Sequence, residues 1–184
     1  MMGIPFTVHP SHVSEHLETP LPPSEHVVEI SNRKASAVAP SYKNELVLGA
    51  DTIVVLGNDI LEKPADTDEA VHMLTQLAGN THKVLTGVTL INTATGKSAS
   101  DVAVTGVTFR PLSNIEIHQY VSTGDSLDKA GAYAAQGQAA VFIESISGCF
   151  YNVVGLPLTC FWNLICSLTG ESPWDLVTEE SIHG

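Results

Sequence analysis

One residue sits where a purely structural sequence would not put it. Asp51 stands in the apolar run Leu46-Val47-Leu48-Gly49-Ala50-Asp51-Thr52-Ile53-Val54-Val55-Leu56. A carboxylate there is costly unless it is paired or used. It is either the cap or ion-pair partner of a lysine at a strand end, or a general base in partly desolvated surroundings. The preceding Gly49 and Ala50 are small, so a ligand or a second backbone can approach closely. Lys63, in Glu62-Lys63-Pro64, follows the turn residues Gly57-Asn58-Asp59. That turn brings the chain back beside the first strand, so Lys63 is expected near Asp51. It would serve there as a surface ion pair or as a point charge for a phosphate. A third cluster is Asp128-Lys129-Ala130-Gly131-Ala132-Tyr133, with Gln136-Gly137 after it. Its small residues make a loop with room for a flat base, and the Gln136 amide can read a base edge. His9, His12 and His16 have metal-like spacing, but their Pro-rich segment does not read as the helix that would align them. His82 is expected to make a structural hydrogen bond. No Ser-His-Asp order, Walker loop or G-x-G-x-x-G fingerprint is present.

The elements that must position these residues follow from periodicity and punctuation. A short strand is expected at 6–8, in an otherwise loop-like opening. A helix runs from Ser24 to just before Pro40, with Val27, Val28, Ile30, Ser31, Ala35 and Val38 as its small apolar face. The run 46–56 predicts a strand buried on both faces, followed by a short return strand at Ile60-Leu61. Asp66-Thr67-Asp68-Glu69 caps a helix that Gly79 ends. Residues 82–92 and 99–109 are β-branched and joined by Thr93-Ala94-Thr95-Gly96, which predicts a long hairpin. Ser113-Asn114-Ile115-Glu116 is a capping box opening a short helix. Residues 141–146 and 151–154 predict a second hairpin. Pro157 then starts a helix with Leu158, Phe161, Trp162 and Ile165 inward. Strands and helices without strict alternation predict an α/β or α+β fold around a mixed sheet.

Composition bounds the function. The 184 residues carry 8 Lys+Arg against 20 Asp+Glu, a formal net charge of −12. Eight scattered basic residues cannot supply a stripe for nucleic acid or for an anionic membrane surface. Hydrophobic content of 43% with 15% charged residues suits a packed domain, read as a single unit over 1–184. No apolar run approaches the roughly 20 residues that span a bilayer. Cys149, Cys160 and Cys166 lack metal-ligand spacing and suit a reducing, cytoplasmic setting.

The ordered motifs carry a resemblance. Gly49-Ala50-Asp51-Thr52, Glu62-Lys63-Pro64, Gly79-Asn80-Thr81-His82-Lys83-Val84, Thr86-Gly87-Val88, the 128–137 cluster and Asn152-Val153-Val154-Gly155-Leu156-Pro157-Leu158 together resemble the Maf family of nucleoside triphosphate pyrophosphatases. The likeness runs from about Gly3 to about Leu168. The forms at 49–52 and 128–137 resemble the branch acting on dTTP and UTP. The resemblance implies a mixed α/β fold with an elongated central sheet, flanking helices and a cleft between two lobes. It implies hydrolysis of a nucleoside triphosphate to the monophosphate and pyrophosphate, with a divalent cation (Mg²⁺, Mn²⁺ or Co²⁺). It makes Asp51 the catalytic acidic residue and ties Thr52 and Gln136 to base selectivity. Lys63 matches a phosphate-contacting lysine, and Lys34, in Asn32-Arg33-Lys34-Ala35, the lysine of the family's E-K-A helix. Lys129 would neutralise part of the triphosphate, and Asp51 with Glu62 would hold the metal. The family opens with a strand and an S-x-S-P-R-R loop that the 184 residues do not contain; the only arginines are Arg33 and Arg110. The expectation is therefore a domain without that strand and phosphate loop, with apolar surface that a homodimer would cover. A catalytically weakened nucleotide-binding relative, acting as an interaction protein, is the alternative to an active enzyme.

Overall fold

The computed structural model describes residues 4–176. After an irregular opening, α1 (Pro23–Val38) buries Val27, Ile30, Ser31, Ala35 and Val38, the predicted small-residue face. Then come β1 (Leu46–Leu56), β2 (Asp59–Leu61), α2 (Thr67–Leu77), β3 (Thr81–Asn92), β4 (Lys97–Phe109) and α3 (Asn114–Val121). β5 (Ile143–Ser147), α4 (Phe150–Val153) and α5 (Leu158–Thr169) complete the regular elements, with short 3-10 turns between them. The strands form one sheet in the order β2-β1-β3-β4-β5, and every pairing among them is antiparallel. The fold is thus mixed α/β, with a sheet flanked by helices, and that sheet is wholly antiparallel rather than the mixed sheet expected. No helix among the described residues is long and apolar enough to cross a membrane.

The register decides which residues share a face. In β1 and β3, Asp51 stands opposite Gly87 and Thr52 opposite Thr86. Directly opposed residues point to the same side and neighbours along a strand to opposite sides. α1 covers the side of Gly49, Asp51, Ile53 and Val55, where Val27 packs with Ile53, Val55 and Leu85. It lies very close to the sheet. A Cβ on Gly49 would run into the Ser31 carbonyl and to 2.8 Å from the Ala35 nitrogen; one on Gly87 would strike Val27 backbone. Both glycines are therefore the seat of α1, and the backbone admitted beside Gly49 is a helix of this chain.

The opposite face carries the larger core. Val54, Leu74, Leu77, Val84, Phe109, Ile117 and Phe142 join α2, α3, the sheet and the 130–142 turns. The Asp66 carboxylate accepts from Glu69 N–H to open α2, and the predicted capping box at Ser113–Glu116 opens α3.

Four further expectations are corrected. Residues 6–8 form no strand; Phe6 is 85% exposed, with no neighbouring strand to pair with. Residues 151–154 lie in and just after α4, not in a hairpin strand, because the Asn152 side chain is drawn into the sheet. α5 turns Cys160, Leu164 and Ile165 inward, while Trp162 is half-buried and packs edge-on against Trp174 at 5.1 Å. β1 is buried on both faces only at Ile53–Val55; before that, burial alternates and Leu48 is 37% exposed.

Candidate active site

β2 pairs only with Val54–Leu56, so Asp51 and Thr52 lie on a stretch of β1 whose outer edge no described strand pairs. A cavity of about 600 Å³ runs along that edge. An edge position lets side chains from both faces of one strand reach the same space. Asp51 arrives from the α1 side and Thr52 from the other.

On the α1 side the cavity is a wall of charges. Asp51 is 9% exposed, and its Oδ1 accepts from Lys34 Nζ at 2.8 Å. Lys34 sits near the end of α1, and the close seating of that helix is what brings its ammonium within reach. The same ammonium meets Glu15 Oε1 at 2.6 Å, and Lys63 Nζ meets Glu15 Oε2 at 3.4 Å. Glu15 thus bridges two lysines from the irregular opening segment. Burial works against the Lys34 charge, but the Asp51 and Glu15 carboxylates outweigh it and hold its pKa above the ordinary lysine value. The hydrogen bond from Lys34 holds the Glu15 carboxyl below its usual range despite partial burial. Both groups are therefore ionised near neutral pH.

The opposite wall is neutral around Thr52, the mutually paired Asp128 and Lys129 of the adjoining turn aside. Thr52, Tyr133, Ala134, Gln136, Val154 and Gly155 line it. Thr52 Oγ1 lies 2.9 Å from Thr86 Oγ1, and Thr86 Oγ1 donates to the Asn152 carbonyl at 3.1 Å. Tyr133 is held from behind by His82, whose Nε2 is 2.8 Å from the phenol oxygen. Burial pushes the His82 pKa down to about 4 and the Tyr133 pKa above its ordinary value, so both are neutral partners. This is the structural hydrogen bond expected of His82.

Residues 1–168 match the sequence model of the family described as Maf-like protein. The chain belongs to the Maf family. Among its Maf relatives is a dTTP/UTP pyrophosphatase of Symbiobacterium thermophilum, 50% identical over 157 residues, covering 85% of this chain and 80% of the relative. A dTTP/UTP pyrophosphatase of Desulforamulus reducens is 46% identical over 158 residues, 86% of this chain and 83% of the relative. Another, from Moorella thermoacetica, is 43% identical over 176 residues, 96% of this chain and 90% of the relative.

In this Maf chain all seven residues singled out from sequence, Lys34, Asp51, Thr52, Glu62, Lys63, Lys129 and Gln136, line the one cavity. Their pairing differs from expectation. Lys63 reaches Glu15 rather than Asp51, and Lys129 Nζ is held by its neighbour Asp128 at 2.6 Å. Asp51 is paired with Lys34, as the first reading of it expects, and it also lines the cavity, where a general base would have to stand. Among the described residues, no three His, Cys, Asp or Glu side chains gather as a metal cage. Sequence reasoning missed Glu15. It lies in a segment without periodicity, and only the preceding Pro, Ser and His composition surrounds it.

Proposed function

We propose that the cavity hydrolyses dTTP and UTP to the nucleoside monophosphate and pyrophosphate. The observation that carries this reading is the Lys34–Asp51 pair on the open edge of β1, sharing one cavity with Thr52 and Gln136. The names of the Maf relatives support the substrate.

Cleavage between the α- and β-phosphates needs a positioned water, a proton acceptor and neutralisation of the departing pyrophosphate. Lys34 engages Asp51 Oδ1, which fixes the carboxylate and leaves Oδ2 to orient water and accept its proton. Lys34, Lys63 and Lys129 face the phosphates, and the neutral wall receives the base, with Thr52 and Gln136 reading its edge.

The charge count supports a divalent cation. Four carboxylates (Glu15, Asp51, Glu62, Asp128) stand against three lysines in the cavity. The lining alone is therefore no attractive site for a triphosphate, as the overall charge of −12 also suggests. Magnesium is commonly held by one or two carboxylates plus substrate phosphates and water. Asp51 and Glu62 fit that donor set, with Mn²⁺ or Co²⁺ as alternatives. Such a cation would supply charge neutralisation on the phosphates. Three free cysteines support a reducing, cytoplasmic setting.

The test is pyrophosphate release from a panel of nucleoside triphosphates with Mg²⁺, Mn²⁺ and Co²⁺, for the wild-type chain and Asp51→Asn. Release should be greatest with dTTP and UTP, require the cation and collapse in the variant. No release from any nucleotide, or equal release by Asp51→Asn, overturns the reading.

A further inference from the structure

The neutral wall contains a proton count that assigns a role to a buried residue away from the cavity. Thr86 is fully buried on β3, and its hydroxyl has one proton. Two oxygens lie within reach of it: the Asn152 carbonyl at 3.1 Å and Thr52 Oγ1 at 2.9 Å. If Thr86 donates to the carbonyl, the bond to Thr52 can form only with Thr52 donating. Both protons are then used and both bonds exist. The reverse assignment gives up the Thr86 bond to that carbonyl, which would keep only its bond from the Gly155 N–H at 3.0 Å, so one hydrogen bond fewer is made. A fully satisfied buried chain is favoured over a partly satisfied one.

The carbonyl that sets the direction is itself fixed. The Asn152 side chain donates from Nδ2 to the Val84 carbonyl at 2.9 Å and to Thr105 Oγ1 at 2.9 Å. Swapping the amide nitrogen and oxygen would set Oδ1 against the Val84 carbonyl, so the orientation of the amide is determined. Thr105 in turn donates to the Cys149 carbonyl at 3.2 Å. The anchor that turned residues 150–153 into a helix therefore also locks the hydroxyl chain.

Resting on the proposed hydrolysis of dTTP and UTP, we infer that Thr86 is a positioning residue for base choice: it consumes the Thr52 proton, so Thr52 offers the cavity only lone pairs. An acceptor of fixed polarity favours a ring nitrogen that carries hydrogen. The imide N3 of thymine and uracil does; N3 of cytosine is an acceptor and meets Thr52 lone pair to lone pair. Gln136 cannot make this distinction alone, because its amide can rotate to present either a donor or an acceptor. The rigid hydroxyl decides and the amide follows.

The experiment measures kcat/KM for the shape-matched pairs dTTP against dCTP and UTP against CTP. Wild type should favour the imide member of each pair. Thr86→Val removes the acceptor at nearly constant volume and frees the Thr52 proton, and should shrink each preference about tenfold, the worth of one well-placed hydrogen bond. Thr86→Ser restores the hydroxyl and should restore the preference. A purely structural role would lower both members of a pair together and leave the ratio unmoved. Ratios in Thr86→Val within twofold of wild type overturn the inference and leave the hydrolysis standing. If Thr86→Val does not fold, Thr52→Val carries the test: an unchanged ratio there overturns the inference equally. If no nucleotide is hydrolysed, calorimetric binding of dTTP and dCTP to the same variants reads the same ratio. Absence of both turnover and binding overturns the proposed function and this inference with it.

Discussion

The two walls of the cavity are built from adjacent residues of one strand, yet by opposite means. Asp51 is held by an ammonium brought in by α1, within a network of full charges that includes Glu15 and Lys63. Thr52 is held by the Thr86 hydroxyl, which is itself bonded to the Asn152 carbonyl, and none of these groups carries a formal charge. Charges act over distance and tolerate slack, which suits a flexible, hydrated triphosphate. Neutral hydrogen bonds act only at contact and have direction, which suits telling one base from another. The chain separates these tasks by the alternation of a single β-strand.

That division can be broken from either side. The largest effect is expected for Asp51→Asn: pyrophosphate release from dTTP should fall about 10³-fold, while the ratio of dTTP to dCTP bound, read by calorimetry, stays as in wild type. A shift in that ratio would mean that the walls are not independent. Next comes the support behind the neutral wall. Unfolded chains take up a proton on His82 near pH 6.5, whereas the folded protein holds it off to about 4. The stability from a neutral His82 is therefore complete above pH 6.5 and is lost as pH falls from there to about 4. It amounts to at most about 3 kcal/mol. Urea denaturation across that range should show the loss, and His82→Leu should remove that part of the pH slope. Gly87→Ala tests the other support. It should cost about 2 kcal/mol in the same assay, as overpacking does, and slow turnover by moving Lys34, with base preference unchanged. The smallest effect belongs to Lys63→Ala. Its side chain is 56% exposed, so KM for dTTP should rise only about fivefold, and the difference should shrink at high salt.

What the sequence made legible follows the same division. The long strands, α1, α2 and the α3 capping box were readable because β-branched runs, a small-residue stripe and capping residues are local signals. Asp51 was readable because a charge in an apolar run is anomalous. The motif residues fell in one cavity; strand alternation already put Asp51 and Thr52 on opposite faces, but nothing local said that the edge beside them would be open to a shared cavity. Asn152 was misread as part of a strand. Val153 and Val154 favour extended structure, but the bonds from the Asn152 amide to Val84 and Thr105 decide the backbone there. Glu15 was invisible because its position depends on two lysines, Lys34 and Lys63, that are distant in sequence.

The seat of α1 has a consequence for how this protein can change. Gly49 and Gly87 set the gap between helix and sheet by backbone meeting backbone, not by the volume of intervening side chains. Core residues such as Val27 and Ile53 can therefore be exchanged over generations while the reach from Lys34 to Asp51 keeps its length. The two glycines act as a gauge block: stability can drift around them, whereas the working distance cannot be retuned gradually.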